Sequence, residues 1–167
     1  RVVFPPQLEF LRCRVLAHCP KIAAVDLGGC GALRTIGDFA FTHCAALKTV
    51  VFPAVLENVG IDVLSRCPNL AAVDLGRCEA LHAIADGAFS DCASLETVVF
   101  PPRVRTLGAR VLSRCPKLAA VDLRPHGALR TIGDWAFSDC ATLADVRMPA
   151  GLERIGGRAL SCCPALV

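Results

Sequence analysis

Seven of the eleven cysteines stand at residues 19, 44, 67, 92, 115, 140 and 163, so successive members lie 25, 23, 25, 23, 25 and 23 residues apart. Thiols in such a series could bond to one another, ligate a metal or act as nucleophiles. One thiol per unit makes a ladder whose neighbours are about one strand spacing apart, roughly 4.8 Å. A disulfide wants Cβ atoms near roughly 3.8 Å and a particular dihedral angle, so a regular ladder is too open to bond. No C-x-x-C pair occurs, and no Cys/His set has zinc spacing. The remaining reading is seven buried thiols acting as small apolar side chains. Cys30 and Cys78 are 48 residues apart, hence two units, and His126 takes the third copy of that position, so the site does not demand a thiol. Cys13 and the adjacent Cys162 and Cys163 depart from the pattern. Cys162 replaces Arg66 and Arg114 of earlier copies and is expected to be exposed.

The other groups able to do chemistry are carboxylates and imidazoles. Asp26, Asp74 and Asp122 recur on alternate units, so their spacing is roughly 10 Å, two strand widths. That is an acidic row and not a general acid/base pair. It could meet basic side chains of a partner, hold a cation weakly, or keep an exposed sheet face solvated. His18, His43, His82 and His126 occupy unlike positions. No G-x-S-x-G, P-loop or paired-carboxylate motif is present. The sequence predicts no enzyme, no cofactor and no metal site.

The elements that position these groups come from a repeat. SRCPNLAAVDL at 65–75 returns as SRCPKLAAVDL at 113–123, and CPKIAAVDL stands at 19–27. Self-similarity at a fixed period signals stacked units. The 48-residue period contains two unlike units in alternation. The longer runs C-P-x-(L/I)-A-A-V-D-L, a loop, then A-L-x-x-I-x-x-x-A-F. The shorter runs C-A-x-L-x-x-V-x-(F/M)-P, a loop, then a V-L or A-L pair. Each offers one strand, expected at 2–4, 25–27, 50–52, 73–75, 98–100, 121–123 and 146–148. Strand side chains alternate between faces, so Leu70, Val73 and Leu75 point inward while Ala72 and Asp74 point out. Pro53, Pro101 and Pro149 follow alternate strands and lack the amide donor, so the ladder stops there. Crossovers of roughly 20 residues require parallel strands. The return segments, such as 86–90, are too short for a sturdy helix and are expected to form tight turns, 3₁₀ in type, with Ala40/Phe41, Ala88/Phe89 and Ala136/Phe137 filling the core from behind.

The pattern L-x-x-I-G-x-x-A-F-x-x-C-x-x-L-x-x-V-x-x-P, at 33–53 and again at 129–149, resembles the BspA-type leucine-rich repeats over essentially the whole chain. The resemblance implies an α/β, strand-rich leucine-rich-repeat solenoid, curved, with one parallel sheet on its concave face and short 3₁₀ or helical turns on the convex face. It also implies display on surfaces of bacteria or protists, where several such proteins act in adhesion or as antigens. Residues 1–167 read as one solenoid segment of about seven units. Neither end carries the polar capping unit that solenoids need, so caps, further repeats or partner domains are expected outside it.

On a concave sheet, Asp26, Asp74 and Asp122 alternate with Val3, Val51 and Val99, flanked by Thr49, Thr97 and Ala72. A contiguous row of this kind more often marks a binding surface than a single exposed apolar residue does. Asp145 and Arg147 break the stripe on the last strand. These positions form the candidate binding set, with a protein or a glycan as partner. A second candidate lies on the back, where Phe39, Gly87 and Trp135 precede the Ala-Phe pairs. Net charge is +3 with both signs interspersed, which excludes a nucleic-acid footprint, and no apolar run approaches the roughly 18 residues of a membrane span. Two functions from different classes follow. One is a recognition or adhesion module at a cell surface or secreted. The other is a cytoplasmic structural scaffold, favoured by the odd count of buried thiols, which suits a reducing compartment.

Overall fold

Each repeat spaces its apolar residues so that one coil of chain can bury them all, and the chain winds accordingly into a parallel β-solenoid. The structure is a computed structural model and describes residues 2–167. Thirteen strands follow in order among the described residues: β1 (Phe10–Leu11), β2 (Ala24–Asp26), β3 (Thr35–Ile36), β4 (Thr49–Val51), β5 (Asn58–Val59), β6 (Ala72–Asp74), β7 (Ala83–Ile84), β8 (Thr97–Val99), β9 (Thr106–Leu107), β10 (Ala120–Asp122), β11 (Thr131–Ile132), β12 (Asp145–Arg147) and β13 (Arg154–Ile155).

The expected single sheet is replaced by two columns of strands. The three-residue strands pair as couples, β2 with β4, β6 with β8 and β10 with β12. The two-residue strands form a second column, β1-β3-β5 and β7-β9-β11-β13. The A-L-x-x-I segment thus supplies a strand of its own, because its backbone polar groups need partners once Leu33 and Ile36 are fully buried. Partners in this column follow the alternation of the repeat, Phe10 opposite Thr35 and Thr35 opposite Asn58.

Strand boundaries also differ from the sequence reading. Each three-residue strand begins one residue earlier, at Ala24 where Val25 was expected. The long-unit strands β2, β6 and β10 each end on an aspartate. Asp26 Oδ1 accepts the Gly28 amide at 2.9 Å, Asp74 Oδ1 the Gly76 amide at 2.8 Å, and Asp122 Oδ1 the Arg124 amide at 3.0 Å. Each carboxylate bends the chain into an Asx turn just past the strand. The segment 2–4 is not a strand. Couples join a long-unit strand to the short-unit strand after it, and within residues 1–167 no long-unit strand precedes this segment.

The return segments contain no helix among the described residues, so the fold is all-β and the expected 3₁₀ or helical turns are absent. The backbone explains why. The amides of Phe39, Phe41 and His43 donate to the carbonyls of Ile61, Val63 and Ser65 in the next coil, at 2.8, 2.9 and 3.0 Å. A helical turn would need those amides for its own segment. To aim them sideways, one residue per coil adopts a left-handed conformation, from Arg14 to Arg158. Another does so four residues later, from His18 to Cys162. The same alternation carries side chains inward, and Phe41, Phe89 and Phe137 are fully buried with their alanine neighbours. Burying each such ring contributes about 1.5–3 kcal/mol.

Candidate functional site

The candidate face is built by the couples β2–β4, β6–β8 and β10–β12. Their middle residues alternate in depth. Val25, Val73 and Val121 are buried, and the residues on either side point outward. Register places Asp26 opposite Val51 and Asp74 opposite Val99, with Ala24 opposite Thr49 and Ala72 opposite Thr97. Val51 and Val99 remain 50% and 49% exposed, large values for valines in a sheet. The glycine two residues after each aspartate makes room for the valine. A Cβ at Gly28 would lie 3.1 Å from Val51 Cγ1, and one at Gly76 would lie 3.1 Å from Val99 Cγ1.

The third couple is chemically different. Arg147 stands opposite Asp122, and Asp145 opposite Ala120. Arg124 replaces the glycine and ion-pairs with Asp122 at 2.6 Å, while Arg147 pairs with Asp145 at 2.7 Å. Arg124, first through its side chain and then through its amide, holds the Asp122 carboxyl down at about 2. The acidic row of three read from the sequence is therefore a pair, Asp26 and Asp74, beside a charge-balanced patch. The structure brings all ten candidate residues onto one face. It also gives the three recurring aspartates a turn-forming role that the D-L-G and D-L-R spacing signals. A hollow of about 590 Å³ opens at one end of this face between Val2, Lys21, Ala24 and Asp26.

The thiol ladder is packing with a hydrogen bond added. Cys44, Cys67, Cys92, Cys115 and Cys140 are buried and free. Each Sγ donates to a carbonyl of the preceding coil, at 3.1–3.3 Å, on Leu16, Phe41, Leu64, Phe89 and Leu112. Burial pushes Cys67, Cys92 and Cys115 up to about 12, and Cys140 to about 11. Such thiols are protonated and poor nucleophiles. Cys19 and Cys163 at the two ends of the ladder are half-buried, while Cys13 and Cys162 are exposed.

On the back, sequence reasoning missed a column of aspartates. Asp38, Asp86 and Asp134 each accept the amide of a residue in the next coil, on Ile61, Ala109 and Gly157, at 2.9, 2.7 and 2.6 Å. The I-x-D spacing at 36–38, 84–86 and 132–134 was the available signal. Phe39 and Trp135 are half-buried, each with an arginine of an adjacent coil over its ring, Arg14 at 5.2 Å and Arg110 at 4.7 Å. Gly87, the third member of that position, is buried.

Comparison with known proteins agrees with this geometry. A family model described as BspA type leucine rich repeat region, in 6 copies, matches residues 1–80 and 77–167. No match was found among curated proteins. Among solved structures, the T. pallidum leucine rich repeat protein TpLRR is similar with a TM-score of 0.83 and 25% identity, over 96% of this chain and 72% of that one. A leucine-rich repeat protein from Bacteroides ovatus matches at 0.56 and 22% identity, over 98% of this chain and 52% of that one. The pneumococcal vaccine antigen PcpA matches at 0.51 and 16% identity, over 94% of this chain and 60% of that one. The chain thus spans about half the length of the B. ovatus protein.

Proposed function

Since the chain belongs to the BspA-type leucine-rich-repeat family, we propose that it is a non-catalytic recognition module that binds a protein partner across the β2–β12 face. The observation that carries this reading is the duplicated pairing of Asp26 with Val51 and Asp74 with Val99. A half-exposed valine beside a carboxylate without an ion-pair partner among the described residues offers apolar contact and charge at one spot. Repeated on alternate coils, it forms a regular surface complementary to basic and apolar side chains. Adhesion, and display at a cell surface or secretion, belong to the same proposal and rest on the habit of the family. A glycan is the other ligand class for this face.

The test is a photo-crosslinking side chain at Val99 in the protein expressed in its native cells. A specific protein adduct is expected, and it disappears when Asp26→Lys/Asp74→Lys is added to the crosslinker-bearing protein, with the fold intact by circular dichroism. The same adduct surviving the double variant rules this face out. A structural scaffold in a reducing compartment is the second reading, favoured by eleven free thiols. A thiol count on protein from its native source separates the two, since oxidised pairs involving Cys13 or Cys162 exclude the reducing compartment.

A further inference from the structure

The two left-handed columns on the back enclose a trough. Its floor includes the buried Thr42, Ser65 and Ser90, and the column side chains form its walls. It runs along the solenoid from Arg14 to Arg114 with a volume of about 1000 Å³. One wall has no side chain at Gly87, where a Cβ would stand 2.2 Å from Asp62 Oδ1.

The charges in this trough are unevenly committed. Asp91 is held by Arg114 through Nε–Oδ1 at 2.8 Å and Nη2–Oδ2 at 3.1 Å. Asp86 accepts the Ala109 amide, and burial of Asp62 pushes its carboxyl up. Three guanidiniums keep donors free. Arg14 and Arg110 hold their guanidiniums over aromatic rings and have no ion-pair partner among the described residues. A cation–π contact of this kind leaves the N–H donors unused. Arg66 Nη1 meets His43 Nε2 at 3.1 Å, and its nearest carboxylate, Asp91, is 3.9 Å away. Burial, then His18 stacked at 4.4 Å, then Arg66 push the His43 pKa down. Arg14, Arg66 and Arg110 sit on alternate coils, about 10 Å apart along the axis.

We propose that this trough binds an extended acidic polysaccharide, with carboxylates or sulfates on Arg14, Arg66 and Arg110. Arginine forks match such oxyanions bidentately. A polysaccharide with an acidic group on at least every second sugar, as in polyuronates and heparin, presents charges at about the two-coil interval. The half-exposed Phe39 ring, with Arg14 over one side, adds apolar surface beside the charge. An acidic peptide fits less well. The floor amides of Phe41, Leu64 and Phe89 are already bonded to the next coil, so no open edge is left for a peptide backbone to pair with.

The experiment is binding of the immobilised chain to polygalacturonate, to heparin and to polyglutamate at low ionic strength. Binding of polygalacturonate or heparin well above polyglutamate is expected, and which of the two is preferred separates carboxylate from sulfate. Arg66→Ala and Arg110→Ala each weaken it about tenfold or more, and both variants are checked for an unchanged fold by circular dichroism. Asp74→Lys on the opposite face leaves it unchanged, so failure of this site and failure of the proposed protein-binding face are told apart. No binding to either glycan overturns the proposal. So does equal binding to polyglutamate, or full binding by a folded Arg66→Ala/Arg110→Ala double variant.

Discussion

Cys67 Sγ donates a hydrogen bond to the carbonyl oxygen of Phe41, 3.3 Å away in the preceding coil. The neighbouring amides of this segment are used sideways, coil to coil, which leaves that carbonyl without a backbone donor. A thiol is small and apolar enough for the core and still able to donate weakly. This accounts for a cysteine in every coil without any redox or catalytic role.

Native-state thiol labelling follows directly. Cys13 and Cys162 are expected to react in the folded protein, Cys19 and Cys163 slowly, and the remaining seven only after denaturant is added. Mass spectrometry of the labelled protein reads the pattern. Rapid labelling of Cys92 under native conditions contradicts the ladder.

Alkaline pH is expected to destabilise the fold. The buried thiols have pKa values raised to about 12 for Cys67, Cys92 and Cys115, against about 8.5 for an unfolded thiol. Above pH 8.5 the unfolded state loses protons that the folded state keeps, so stability falls as pH rises. It is fully present below about 8.5 and is lost progressively towards 12, at about 1.4 kcal/mol per pH unit for each thiol. With no tyrosine in the chain, thiolate absorbance can be followed without phenolate overlap. An unfolding temperature flat between pH 8 and 10.5 contradicts this assignment.

The aspartate ties between coils can be removed one at a time. Asp86→Ala leaves the Ala109 amide without its 2.7 Å acceptor and is expected to cost about 1 kcal/mol. Urea unfolding measures it. Asp86→Asn retains an acceptor oxygen and should lose less.

Core filling is tested by Phe89→Ala. The ring is fully buried, and its loss is expected to cost about 3–5 kcal/mol. Arg110→Ala, which removes only the guanidinium over Trp135 at an exposed site, should cost about 0.5–1 kcal/mol. The order of the two effects is the prediction, and comparable losses contradict the core assignment.

Much of this architecture is determined by sequence alone, because period and burial are local properties. The 25/23 alternation is the register of the paired strands, as in Phe10 opposite Thr35 and Thr35 opposite Asn58. The inward set Leu70, Val73 and Leu75 follows from side chains alternating along a strand. Placing Asp74 and Val99 on one exposed face needed no more than that rule and the 25-residue spacing between their strands. What only the tertiary structure decided is where backbone donors go. An amide can close a turn within its own segment or bond to the next coil, and the choice depends on a neighbour tens of residues away in the chain. That choice removed the expected helical turns, placed Phe39 and Trp135 at left-handed positions, and created the trough between the two columns. Charge pairing between coils was decided in the same way. Arg114 meets Asp91, 23 residues earlier, at 2.8 Å because adjacent coils stack in register.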